Sequence, residues 1–403
     1  MTLERVTKNY YSIIQGYKGR DDYAEKMGGI SLTSLNKNYK LLVEEIEEQI
    51  NSEVVSEVFP IGTLNHEIAI QDFLLSLENE KHIKNTYKQK KLKVKKSGLN
   101  AKDTEILIAC IRQGRSLLQA GQKAEMLAKP LIDFYAASAY AYAIIVLNSP
   151  LHKSIESLKR SHGHTYNHST KTVDFGGDIP SGTFLDLLCA LSVARVSQIE
   201  NQPISFKYSS LKCMDFVQKN SIKLSLLPLL SMVPDLQTQF VRLNTGHTNV
   251  HKLSIDTGTV GMKSTYNFYI GDGKNKPDID ELKLCFNTDE INEDQGSYKI
   301  SVEAKDVSSI RPMIYQDVYG KLWYISAPIK GLYLPELCLH FLIISALCNI
   351  MRYSPHEWSD ILTNQISSQF SLIINQYIRV FERKFPLLVA QCLSNYNPII
   401  RNT

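Results

Sequence analysis

Apolar residues recur at helical spacing in the first and last parts of the chain and alternate in strand fashion between them. Leu41, Leu42, Ile46 and Ile50 form an apolar stripe, with Glu44, Glu45, Glu47 and Glu48 on the other side. Pro60 and Gly62 break it, and Ile68, Ile70, Phe73 and Leu74 mark a second helix from about His66 to Leu77. Further helices are predicted from Asp103 to about Gln119, from Gln122 to Leu147 with an adjustment near Pro130, from His152 to Arg160, and from about Phe184 to Val196.

The character changes near Pro203. Phe240–Leu243, Thr265–Ile270, Tyr298–Val302, Pro312–Tyr315 and Leu322–Ile325 are rich in aromatic and β-branched residues and read as strands. Tyr319-Gly320-Lys321 reads as a hairpin turn. Helix returns at Leu334, and Ile366, Phe370, Ile373, Tyr377 and Phe381 follow helical spacing in the last long helix. The expected fold is α+β: a mainly helical core formed by the N- and C-terminal regions, with a β-rich insertion. The expected regions are 1–202, 203–330 and 331–403. Helices split in sequence must pack together, because the apolar 334–352 helix needs partners on all sides.

A chain of 403 residues exceeds one minimal core. The net charge of +4 excludes a molecule that grips nucleic acid over its whole surface, so any such contact rests on a local patch. The seven cysteines, Cys110, Cys189, Cys213, Cys285, Cys338, Cys348 and Cys392, are widely spaced without a C-x-x-C, and read as reduced core thiols. The start, Met1-Thr2-Leu3-Glu4-Arg5, lacks a basic head followed by an apolar run, so a cytoplasmic protein is expected. The apolar stretch from Leu334 to Met351 contains Glu336, His340, Ser345 and Asn349, and reads as a buried core helix rather than a membrane span.

Candidate chemistry concentrates in Lys159-Arg160-Ser161-His162-Gly163-His164-Thr165-Tyr166-Asn167-His168. Arg160, His162, His164 and His168 are the candidate catalytic residues, since a permanent cation beside imidazoles suits phosphate binding and proton transfer. A zinc site would need the three histidines to converge with Asp174 or Asp178. The plainer reading is a solvated loop, and no metal or cofactor is expected. Lys81, Lys84, Lys88, Lys90, Lys91, Lys93, Lys95 and Lys96 lie in an acid-free stretch around Tyr87. Within it Lys88, Lys90, Lys91, Lys93, Lys95 and Lys96 are the candidate nucleic-acid contacts, against the plainer reading of a solvated run. Asp256-Thr257-Gly258-Thr259 resembles half an aspartic protease, but no second such motif exists, and a β-turn is expected there. Arg352 is expected to cap the carbonyl end of its helix, with Pro355 starting the next and Trp358 packing beneath.

Two separated segments carry a family resemblance. The Ala/Tyr-rich helix Phe134–Ala143 leads to Ser161-His162-Gly163, and an apolar helix ends far downstream in Met351-Arg352-Tyr353-Ser354-Pro355-His356-Glu357-Trp358. This pairing resembles the bacterial YaaC-like family, in which an H-G follows such a helix and an R-Y-x-P-x-x-W element follows an apolar C-terminal helix. The resemblance spans roughly residues 100 to 390. It implies a cytosolic bacterial protein and no established chemistry. A weaker resemblance is to HEPN nucleases, helical bundles whose arginine and histidine, four to six residues apart, cleave RNA. Here three residues separate Arg160 from His164, and seven separate it from His168.

The resulting expectation is a cytoplasmic binding or scaffold subunit that contacts nucleic acid or a partner protein, with no membrane association. A place in bacterial defence is compatible with this, although no residue speaks for it. The alternative is a divergent HEPN-like ribonuclease using Arg160 with His164 or His168. Exchanging Lys90, Lys91, Lys95 and Lys96 for glutamate is expected to weaken nucleic-acid binding and flatten its salt dependence. Unchanged binding in a titration across salt would take the lysine run out of the interface.

Overall fold

The computed structural model describes residues 58–61, 66–89, 99–148, 156, 158, 161–177, 179, 181–191, 193–199, 202–209, 216–243, 248–260, 263–273, 275–294, 296–303, 310, 312–363, 368–393 and 397–400. The stripe around Leu41 to Ile50 lies outside them, as do Lys90, Lys91, Lys93, Lys95, Lys96, Arg160, Asp178 and Cys213.

The helices are α1 His66–Ser76, α2 Glu80–Gln89, α3 Ala101–Lys123, α4 Lys129–Asn148, α5 Thr183–Ala190, α6 Leu226–Leu230, α7 Gln237–Arg242, α8 Ile279–Phe286, α9 Glu336–Tyr353, α10 Pro355–Leu362 and α11 Ser368–Leu393. The strands are β1 Val58–Ile61, β2 Thr165–Asn167, β3 Thr172–Gly176, β4 Val193–Ile199, β5 Gln202–Ser209, β6 Ser221–Ser225, β7 Val250–Val260, β8 Lys263–Ile270, β9 Asn292–Asp294, β10 Ser297–Glu303, β11 Met313–Gln316, β12 Leu322–Ile325 and β13 Asn397–Ile400. The fold is α+β, a helical core carrying a β-rich insertion. The main sheet is antiparallel in the order β11-β12-β7-β8-β10-β9. A smaller antiparallel sheet runs β2-β3-β6, β4 pairs with β5, and β1 pairs in parallel with β13.

Local chemistry explains the central helices. Asn100 caps α3, its side-chain oxygen accepting the Asp103 amide at 2.7 Å. Leu107, Ile111, Gly114, Leu118 and Gly121 then recur every three or four residues on the buried side. A side-chain carbon at Gly114 would lie 2.8 Å from the Tyr140 ring, so glycine lets α3 close on α4. Helix α4 is buried along most of its length and packs on α3, α5, α9 and α11. Helix α9 is buried continuously from Leu337 to Cys348, with the Phe341 ring 5.7 Å from Phe134 and stacked 6.3 Å from Phe184. Both α4 and α9 are long and apolar enough to cross a membrane, but 72% of each apolar window is buried inside the protein.

A second core lies under the main sheet. Leu253, Ile255, Phe268, Ile270, Ile300 and Val302 alternate onto one face, which Leu282, Cys285 and Phe286 of α8 cover. Tyr333 packs against both cores, and a buried ion triad ties the β11–β12 hairpin to the helices. Lys384 of α11 donates to Asp235 at 2.8 Å and forms an ion pair with Glu336 in the first turn of α9. The other Asp235 oxygen accepts the Val318 amide of the β11–β12 hairpin at 2.8 Å.

Several local expectations are corrected. The helix expected over Phe184 to Val196 stops at Ala190, and Val193–Ile199 is a strand, because its β-branched residues pair with β5. Phe240–Leu243 is not a strand: a 3-10 turn at Pro234–Leu236 runs into α7, which buries Phe240. The helix expected from Gln122 divides, with α3 ending at Lys123 and α4 starting at Lys129. Pro130 then falls in the first turn of α4, where a missing amide proton is harmless. Asp256-Thr257-Gly258 is interior to β7 rather than a turn.

Phe341 is fully buried, so Phe341→Ala should destabilise by about 3–5 kcal/mol in chemical denaturation. A midpoint equal to the parent's would mean that the α9 face is not core.

Candidate functional site

The histidine segment folds as a loop entering the β2–β3 hairpin. The carbonyls of Ser161 and His162 accept the amides of Thr183 and Phe184 at 2.9 and 2.8 Å, docking the loop on the start of α5. Gly163 has φ 74° and Gly182 has φ 137°, and a side-chain carbon at Gly182 would lie 2.3 Å from the Gly163 nitrogen. The close approach of these two backbones requires glycine at both positions.

The dock sends the histidines in different directions. His164 is buried between the rings of Phe184 and Phe341. Its Nδ1 donates to the His162 carbonyl at 3.1 Å, which leaves Nε2 to accept from the Ser345 hydroxyl at 2.5 Å. Burial pulls its pKa down to about 4, and both nitrogens are used, so it is a neutral core imidazole. His162 is exposed, edge-on to Phe134 with ring centroids 5.3 Å apart. Desolvation, followed by the charge of Arg352, pulls it below the usual imidazole range. His168 is exposed near the hairpin tip, with Nδ1 3.2 Å from the Ser354 hydroxyl.

That tip is fastened to the corner between α9 and α10. Asn167 Oδ1 accepts the amides of Ser169 and Thr170, and Lys171 adopts a left-handed φ of 56°. Lys171 then donates to Glu357 at 2.7 Å. At the corner, Tyr353 is 59% exposed. The Arg352 guanidinium lies 4.8 Å from its ring centroid, and His168 meets it edge-on at 5.8 Å. Arg352 therefore does not cap helix carbonyls as expected; among the described residues its partners are the Tyr353 ring and the Cys348 thiol. Pro355 starts α10, and Trp358 is buried with its indole N–H donating to the Leu127 carbonyl at 3.1 Å.

The segments Ser161–His168 and Arg352–Trp358, distant in sequence, thus form one surface. The family model described as YaaC-like Protein matches residues 74–393, a span that holds both. The chain belongs to the YaaC-like family. No curated protein and no solved structure matches it.

Other sequence candidates of this YaaC-like chain fall elsewhere. Among the described residues no group of three or more His, Cys, Asp or Glu side chains is placed to hold a metal. Burial pushes the thiols of Cys110, Cys285 and Cys348 up to about 11, which leaves them as neutral thiols rather than nucleophiles. Lys88 is exposed near the end of α2, whose Lys81, Lys84 and Lys88 border one groove with Asn79, Glu80 and Asn85, and Lys84 donates to Glu80 at 2.5 Å. Sequence reasoning passed over Lys171, and took Tyr353 and Ser354 only as part of the R-Y-x-P-x-x-W element, not as site residues. The signal for Tyr353 was an aromatic beside Arg352 at a helix end, where Arg352 alone was read, as a cap.

The folded protein holds His164 neutral, whereas the unfolded chain protonates it near pH 6.5. The stabilisation is complete above that pH and is lost as pH falls toward about 4. Between pH 6.5 and 4.5 the parent should lose about 2–3 kcal/mol more than His164→Gln, measured by urea denaturation at each pH. Parallel pH profiles would show that His164 is not buried as a neutral base.

Proposed function

We propose that this YaaC-like chain is a binding subunit that takes single-stranded nucleic acid on the surface formed by Tyr353, Arg352, His168 and His162. The observation that carries the reading is the exposed Tyr353 ring held between the Arg352 guanidinium and the His168 edge. An exposed ring of this kind offers a stacking face to a base, and a guanidinium beside it meets the phosphate. The hairpin tip keeps the site in register through the His168–Ser354 and Lys171–Glu357 contacts. On α2, Lys84 pairs with Glu80, and Lys81 and Lys88 stand exposed as local positive charge on a molecule of low net charge. The ribonuclease alternative would use Arg160, which lies outside the described residues, with the buried His164 or with His168.

Fluorescence anisotropy with a labelled single-stranded oligonucleotide tests this. Stacking worth about 1–3 kcal/mol predicts that Tyr353→Ala weakens binding roughly 5- to 150-fold. Arg352→Ala should lower the salt slope by about 0.7, one phosphate contact on a single strand. A parent protein that binds no oligonucleotide at low salt, but loses a protein partner on Tyr353→Ala, would replace nucleic acid with protein as the ligand.

A further inference from the structure

Asp133 of α4 is fully buried, and neither of its carboxylate oxygens has a hydrogen-bonding partner among the described residues. Oδ1 sits against Gly121 of α3, where a side-chain carbon would come within 2.3 Å of it. Among the described residues the cation acting on it, Lys129, is already engaged: its ammonium donates to the Gly121 carbonyl at 2.6 Å, to the Gln122 carbonyl at 3.3 Å and to Glu382 of α11. Further titratable neighbours among the described residues are Tyr377 of α11, on which Asp133 acts electrostatically, and, behind it, His340 of α9, 3.3 Å from the Tyr377 hydroxyl. Lys129 and Glu382 cancel one another, so a charge on Asp133 would stand uncompensated in the core. Burial, then the Glu382 carboxylate, push its carboxyl up to about 8 against the pull of Lys129.

We propose that Asp133 is a proton-held lock on the packing of α3, α4 and α11: uncharged, it lets the three helices close over it, and on losing its proton it drives them apart toward water. The folded chain keeps this proton over a range where the unfolded chain, with an ordinary carboxylate, has released it. Stability therefore falls as pH rises from about 4 toward 8. The lock lies one residue from Phe134, whose ring packs against His162.

The full chain and its Asp133→Asn variant are compared by chemical denaturation from pH 5 to pH 9. The unfolding constant of the parent, divided by that of the variant, should rise about tenfold per pH unit between pH 5 and 7 and level off by about pH 9. A ratio that stays flat across this range overturns the proposal. Should the variant fail to fold, carbon NMR of the parent labelled at aspartate carboxyls decides: one carboxyl titrating near pH 8 supports the lock, and none doing so overturns it.

Discussion

The architecture depends on one buried ammonium. Burial alone works against the charge of Lys384, yet Asp235 and Glu336 hold its pKa above the usual lysine value. A cation this deeply buried is tolerable only beside a counter-charge, and its two carboxylates exceed it by one, so burial, helped by the Asp235 charge, pushes the Glu336 carboxyl up to about 7 against the pull of Lys384. The partners come from far apart: Asp235 from the turn before α7, Glu336 from the first turn of α9, Lys384 from α11. Asp235 also holds the Val318 amide, so the same ion fixes the β11–β12 hairpin against the helices. The sheet and the helical core are thereby set in one orientation, and with them the α9–α10 corner that carries Arg352 and Tyr353.

Elements with strong local patterns were legible from sequence. Leu322–Ile325 is a strand with the expected bounds, and its turn works as read: Gly320, at φ 85°, donates its amide to Asp317 at 3.0 Å. Helix α9 read as a core helix because between Leu337 and Met351 its polar residues are few, His340, Ser345 and Asn349. Segments whose fate is set by a partner were not legible. Val193–Ile199 follows a helix and continues its apolar run; only pairing with β5 makes it a strand. Phe240-Val241-Arg242 has strand composition, but the turn at Pro234 and the burial of Phe240 decide for helix.

The site shows the same division. The histidine segment and the Arg352–Trp358 element both stood out, yet their meeting could not be read from either. His164 and His168 have similar polar neighbours in sequence. They part because β2 turns one toward Ser345, 181 residues away, and leaves the other at the hairpin tip beside Ser354. Density of imidazoles signalled chemistry, while the backbone contact of Gly163 with Gly182 distributed them between the core and the surface.

The helical core closes around α4, whose partners α9 and α11 lie at the far end of the chain. On the ribosome α4 leaves long before they exist. At about 5–20 residues per second, the stretch from Asn148 to Glu336 takes on the order of ten to forty seconds to make. For that time, of its main helical partners among the described residues, α4 has α3 and α5 to cover its apolar surface. The nascent protein thus carries an incompletely covered apolar helix through nearly half of its synthesis, a span in which exposed apolar surface favours aggregation.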